Sequence, residues 1–260
     1  MEEVPLRFEG RPARLRVEGG GGRTVLFAHP FPLDGTCWDE LMRECAALGW
    51  RAAAVDCPGF GGTPPLGRPC TMDDLARLFS AALDAVGARS AALVGCSIGG
   101  YAIMAFWRLF PDRLERAGLL CTQAGPDTPE AKEKREQQAR AALEKGPETV
   151  TAPLSERALA PGSPLIDRVR QLAHSATAHG IAEALRGMAL RPDSRPDLPR
   201  WRVRTLVVRG EQDQIVPRQA SETLARSLPE ARQALIAGAG HLAFLEKPRE
   251  VFSELRWLLS

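Results

Sequence analysis

A serine hydroxyl becomes a nucleophile only when a base stands beside it and a third group orients that base. One serine here has the right surroundings. Gly95-Cys96-Ser97-Ile98-Gly99 fits G-x-S-x-G, follows the apolar run SAALVGC at 90–96 and precedes the helical run IGGYAIMAFWRLF. The motif needs that context, because its serine must sit on a sharp strand-to-helix turn where small neighbours avoid a crowding Cβ. Only four histidines are available as base. His241 lies in AGAGHLAFLEKP, past the last apolar run, and Asp213 lies in RGEQDQIVP, past the run TLVVRG at 205–210. Each of the three follows the C-terminal end of a strand, so they can converge on one sheet edge as nucleophile, orienting acid and base. Glu211 is the rival acid, but it directly follows Gly210 and stands too close to the strand end.

Attack on a carbonyl also needs N–H donors for the developing oxyanion. The N–H of Ile98, next after the nucleophile, is one. The other is expected from FAHPFPLDG at 27–35, where Pro30 has no N–H and Phe31 does. His29 in that loop reads as a structural brace, and His174 and His179 as surface or pocket-rim residues.

Strands must carry these residues to one edge. The runs TVLFAH (24–29), RAAAVD (51–56), SAALVGC (90–96), RAGLLC (116–121), TLVVRG (205–210) and RQALIAG (232–238) are apolar on successive residues. Strands buried on both faces of a parallel sheet read that way. Helical periods lie between them. Trp38, Leu41, Met42, Cys45 and Leu48 share one face before Gly49; Leu75, Leu78, Phe79, Leu83 and Val86 share another, opened by Thr71 and Asp74 as a capping box and closed by Gly87. Pro248 opens a last helix with Val251, Phe252, Leu255, Leu258 and Leu259 inward. Two leading strands near 4–8 and 12–17 form an antiparallel edge. The pattern is a mostly parallel, doubly wound α/β sheet. The rhythm breaks between 122 and 197, where helices are expected at 129–146, 163–174 and 178–190. We therefore expect a core of 1–121 and 198–260 with a helical cap at 122–197. Such an insertion sits where ligands bind open α/β sheets, outside the carboxyl ends of the strands. Leu165, Ile166, Val169 and Leu172 stripe one cap helix; Ile181, Leu185 and Met188 stripe the next and are expected to line an acyl pocket, with Leu242 beside the histidine.

These motifs resemble the α/β-hydrolase superfamily over nearly the whole chain. HPFPLDGTCW is similar to its oxyanion loop, DCPGFGGTPP to its Asp-x-x-Gly-x-Gly turn, GCSIGG to its nucleophile elbow, GEQDQIVP to its acid loop and GAGHLAFLEKP to its histidine loop. The cap segments TQAGPDTPEAKEKREQQA and MALRPDSRPDLP look like the small carboxylesterases and the 3-oxoadipate enol-lactonase-like branch. The resemblance implies hydrolysis of short esters or lactones without a cofactor. Two residues depart from the usual pattern: Pro30 stands where glycine is common, and Cys96 precedes the serine.

Composition sets the remaining bounds. The chain has 260 residues, Lys+Arg 34 against Asp+Glu 32 and a formal charge of +2, which gives no electrostatic reason to expect nucleic acid or an anionic membrane. The arginines at 191, 195, 200, 202 and 204, interrupted by Asp193 and Asp197, read as a solvated connector. Six cysteines stand alone, without C-x-x-C or a histidine at metal-ligand spacing, so no metal is expected. The acidic N-terminus lacks an apolar segment of the signal-peptide kind, and no apolar run approaches the roughly 20 residues that span a bilayer. A reducing cytoplasm is the simplest placement, and the Arg- and Ala-rich usage hints at a bacterial source. The expected partner is a small ester or lactone, with the chain a monomer or small homo-oligomer. Lactonase and perhydrolase or cofactor-free haloperoxidase readings use the same residues, and a hydrolase-fold ligand receptor is the non-enzymatic alternative. A dinucleotide enzyme is set aside, because the glycine run at 19–22 leads into a strand and not a helix.

Overall fold

The structure, a computed structural model, describes residues 1–260. Its frame is one eight-stranded sheet in the order β1-β2-β4-β3-β5-β6-β7-β8. The strands are β1 Glu2–Phe8, β2 Arg11–Glu18, β3 Arg23–Ala28, β4 Trp50–Val55, β5 Ala91–Cys96, β6 Leu114–Leu120, β7 Arg204–Gly210 and β8 Ala231–Ile236. The leading hairpin pairs antiparallel and β2 runs antiparallel to β4; every later pairing is parallel. All six residues of β5 are buried, as its unbroken apolar run requires. β8 departs from the expectation of burial on both faces: residues 232, 233 and 235 are exposed, because it is the sheet edge and pairs only with β7.

Helices cover both faces. Helices α1 (Asp39–Ala47) and α10 (Pro248–Leu259) bury Leu41, Met42, Leu255 and Leu258 against one side, with Trp38 just ahead of α1 buried beside them. Helices α2 (Met72–Ala85) and α3 (Ile98–Leu109) bury Leu75, Phe79, Ile98 and Phe106 against the other. Thr71 and Asp74 form a reciprocal capping box at the start of α2. Leu48 lies past the end of α1 and is exposed, unlike the face it was expected to share.

Between β6 and β7 run four helices: α4 Pro129–Lys145, α5 Glu148–Arg157, α6 Ile166–Ala173 and α7 Ala178–Ala189. The mostly polar α4 buries only Ala139 and Ala142. Of the stripe expected on α6, Val169 is buried while Leu165, Ile166 and Leu172 are half-buried. Helix α7 lies directly on the loop that follows β4. A Cβ on Gly59 would fall 2.1 Å from Gly180 Cα, and one on Gly187 would fall 1.6 Å from the Cys70 carbonyl oxygen. Thr177 N–H donates to Gly59 O (3.1 Å), and Cys70 N–H donates to Glu183 O (3.1 Å). The buried Glu183 carboxylate accepts from Leu66 N–H (2.7 Å) and Gly67 N–H (2.8 Å). Arg191, expected in a solvated connector, is instead buried beneath the insertion, because Asp127 supplies its counter-charge at 2.7 Å and Tyr101 its aromatic floor at 4.4 Å. The other arginines of that stretch are exposed or half-buried. No helix is long and apolar enough to cross a membrane.

Short β8 is followed by α9 (Ala243–Glu246), and β7 by α8 (Arg218–Ser227), so the segments after β5, β7 and β8 all open at the same edge of the sheet.

Candidate active site

Ser97 stands between β5 and α3 at φ 55°, ψ −114°, a left-handed backbone that side chains rarely adopt. The neighbouring glycines make room for it. A Cβ on Gly95 would lie 2.6 Å from the Gly99 carbonyl carbon, and one on Gly99 would lie 2.4 Å from Ala28 O. The strain persists because the turn is over-determined. Ser97 N–H donates to Leu120 O (2.9 Å), and Ser97 O accepts from Gly100 N–H (2.9 Å), Tyr101 N–H (3.2 Å) and the Thr122 hydroxyl (2.8 Å).

His241 and Asp213 come together across 28 residues of chain, with Nδ1 at 3.0 Å from Asp213 Oδ2. Asp213 Oδ1 also accepts from Ile215 N–H (2.8 Å) and Val216 N–H (3.1 Å), which fixes the carboxylate from the far side. Burial alone would raise Asp213; its hydrogen bond and charge pairing with His241, with the two amides, hold it below the usual carboxylate range. Burial alone would lower His241, and the hydrogen bond and charge of Asp213 outweigh it, so the imidazole sits above its ordinary value. A carboxylate at Nδ1 places the ring proton there and leaves the Nε2 lone pair free. No direct hydrogen bond joins Ser97 Oγ to His241; the two loops touch through Cys96 Sγ, which donates to His241 O at 3.6 Å. Glu211 turns elsewhere and accepts from Gly238 N–H (2.9 Å).

The loop after β3 carries the second half of the geometry. His29 is buried, its Nε2 accepts from Cys57 N–H (2.8 Å), and Nδ1 therefore carries the proton toward Pro30 O (3.1 Å). Asp56 ties the same loop down by accepting from Gly35 N–H (2.7 Å) and Gly62 N–H (2.8 Å). Neither Phe31 N–H nor Ile98 N–H donates to another protein group; the latter is the first amide of α3, which has no intrahelical acceptor. Two free amides thus flank the turn, as oxyanion stabilisation requires.

Phe31, Phe60, Cys70, Leu75, Ile98 and Ala184 wall an apolar cavity of about 10 Å³, room for a single water. The α7 residue on that wall is Ala184. Ile181, Leu185 and Met188 are buried in the same hydrophobic cluster but not on the wall, and Leu242 packs in the cluster on the opposite face of the sheet. A surface cleft of about 760 Å³ lies over the β1–β2 hairpin and includes none of Ser97, Asp213 or His241. His174 and His179 are exposed.

Sequence reasoning missed several supports. Arg209 braces the acid loop by donating to Gly210 O (2.7 Å), Glu211 O (3.0 Å) and Asp213 O (3.3 Å). Glu246 holds the histidine loop by accepting from Gly240 N–H (2.7 Å) and Ala160 N–H (3.0 Å). The Arg209 partners are local but are backbone carbonyls, which a pattern of residue types does not mark, and Ala160 lies 86 residues from Glu246. Cys121 stands alone in the sequence, yet the fold sets its Sγ, an Asp213 oxygen and a His241 nitrogen within 4.8 Å of one another. Burial pushes the neighbouring Cys96 thiol well up, and its hydrogen bond to Cys121 holds that second thiol down.

Several known proteins are similar to this chain in sequence and fold. A thermophilic esterase from Thermogutta terrifontis is 34% identical, with TM-score 0.92 over 100% of this chain and 98% of that one. An enol-lactonase from Burkholderia xenovorans LB400 is 20% identical with TM-score 0.90 over 98% of this chain and 99% of that one, a likeness of fold. A 2-hydroxy-6-oxononadienedioate/2-hydroxy-6-oxononatrienedioate hydrolase from Paraburkholderia phymatum is 32% identical over 106 residues, 39% of this chain; the chain spans only 37% of that relative's length. A sequence model of the alpha/beta hydrolase fold matches residues 23–248. That match begins with β3 and ends on the first residue of α10, taking in the loops after β3, β5, β7 and β8, and the chain belongs to the α/β-hydrolase fold family.

Proposed function

We propose that the chain is a serine hydrolase that cleaves short-chain carboxylic esters through an acyl-enzyme on Ser97, with residues 122–197 acting as a cap over a core of 1–121 and 198–260. The observation that carries this reading is the buried His241–Asp213 pair at 3.0 Å beside a serine held at φ 55°. Ser97 Oγ attacks the carbonyl carbon as His241 Nε2 takes its proton, and Asp213 stabilises the imidazolium that forms. Phe31 N–H and Ile98 N–H receive the oxyanion, whose collapse expels the alcohol with the proton from His241. Water, deprotonated by the same imidazole, then releases the acid. The cavity beside the two amides, about 10 Å³, must open to admit any acyl group, and a short one asks the least of its walls. The 34% identical esterase, aligned over the whole chain, supports ester chemistry.

The test is hydrolysis of p-nitrophenyl esters from acetyl to palmitoyl, alongside simple lactones, by the wild type and Ser97→Ala. Short esters should be turned over, and the variant should lose on the order of 10⁴ or more in rate at an unchanged melting temperature. Palmitoyl preference, lactone preference, or retention of more than about a tenth of the rate by a verified variant would each overturn a stated part.

A further inference from the structure

Behind His241 lies a sulfur that acyl transfer does not use, set against the acid–base pair. We propose that Cys121, Asp213 and His241 bind a thiophilic divalent cation of the Zn²⁺ class, and that filling this site switches the catalytic base off.

Geometry comes first. One donor atom from each side chain lies within 4.8 Å of the other two, all three residues are buried, and no other three His, Cys, Asp or Glu side chains in the molecule meet in this way. Thiolate, imidazole and carboxylate is a donor set that Zn²⁺ takes, with bonds of roughly 2.0–2.3 Å and therefore ligand atoms roughly 3.3–3.8 Å apart. The Asp213–His241 edge is already as short as 3.0 Å. The thiol has to move inward by about 1 Å and the Asp213–His241 edge to open by a few tenths of an ångström, both within side-chain torsions.

The position of that thiol is built. Cys121 is one of three non-glycine residues with positive φ, at 45°; the others are Ser97 and Glu9 of the leading hairpin. Its N–H is anchored on Val208 O at 2.8 Å, and the next residue, Thr122, is the one that holds Ser97 O. The bend that follows β6 thus secures the serine turn with one residue and delivers a sulfur to the acid–base pair with the other.

The chemistry balances without an added reactant. On metal binding the Cys121 thiol releases its proton to solvent, and the two anionic ligands match the charge of the ion. The ion takes the Nδ1 lone pair, so the ring proton relocates to Nε2. Nε2–H is a donor and can no longer accept the proton of Ser97. A water completes the tetrahedron, as in zinc sites with three protein ligands. The switching half of this inference rests on the acyl-enzyme reading; the binding half does not.

Co²⁺ is the probe for binding, because a coordinated thiolate gives a near-ultraviolet charge-transfer band that needs no turnover. Titrated into the intact protein, Co²⁺ should raise that band with a stoichiometry of one in the wild type and in Ser97→Ala. Cys121→Ser, which keeps the size of the side chain, should lack it, and Cys57→Ser and Cys70→Ser should retain it. Absence of the band in the wild type, or its persistence in Cys121→Ser or Cys121→Ala, overturns the site. Zn²⁺ should then inhibit ester hydrolysis reversibly with EDTA, and Cys121→Ser should require at least about tenfold more Zn²⁺ for the same fractional inhibition of its own rate. Binding by the Co²⁺ band with no inhibition by Zn²⁺ overturns the switch and leaves the site.

Discussion

The turn at Ser97 and the seat of α7 both depend on glycine, but for different ends. At the turn, Gly95 and Gly99 allow the start of α3 to press against Ala28 and β5, so that a strained serine is locked by three donors to its carbonyl. At α7, Gly180 and Gly187 allow one backbone to lie on another, Gly59 and Cys70, and nothing there carries chemistry. The first arrangement fixes where the nucleophile points. The second fixes how low the helix rides, and therefore how little space Ala184 leaves above Ile98. On the proposed reading, reactivity and capacity are set by separate contacts, and each should change without the other.

The largest effect should fall on the turn side. Asp213→Asn inverts the hydrogen-bond preference at Nδ1 and should lower kcat by about 10⁴, whereas Glu211→Gln, which only loosens an exposed contact to Gly238, should change it by less than about twofold. The reverse ranking, on one ester in one buffer, would relocate the acid. On the α7 side, Gly180→Ala drives a Cβ to 2.3 Å from Gly59 O and should cost about 1–3 kcal/mol, read as a lowered midpoint in urea or heat. An unchanged midpoint would mean that the two backbones are not in contact. Ala184→Leu fills the cavity while leaving the turn alone. It should lower kcat/KM for butyryl relative to acetyl esters by about tenfold, and an equal loss on both would break the division between reactivity and capacity.

The smallest expected effect is on pH. His241 must be neutral to act, so kcat/KM should be lost as pH falls through its folded pKa, which Asp213 holds above the ordinary value of about 6.5. Removing that carboxylate in Asp213→Asn should move the residual acid limb to lower pH; a limb that stays in place would detach the pH profile from this pair.

The catalytic candidates were legible because each follows an apolar run, and the sheet takes every such run to the same edge. The strand runs, the capping box at Thr71 and the helical insertion could be read for the same local reason. What escaped the sequence was decided at long range. The stripe Ile181, Leu185, Met188 marks the buried face of α7 correctly, yet Ala184 meets the cavity, because a helix seated backbone-to-backbone leaves space there only for a small residue. Arg191 looked solvated until Asp127, far back in the chain, supplied its charge. Cys121 looked solitary because its partners lie beyond β7 and β8. β8 reads as one more buried run, yet Arg232, Gln233 and Leu235 are exposed at the sheet edge.

All six thiols are buried, which makes the native protein silent to bulky thiol reagents. A cysteine introduced at Leu190, 63% exposed at the end of α7, would then be the one position a maleimide dye or spin label reaches, and a second at Leu235, 55% exposed on β8, would mark the sheet. The distance between two such labels would follow α7 relative to the strands while an ester is bound, and would reveal how a space fit for one water becomes large enough for an acyl chain.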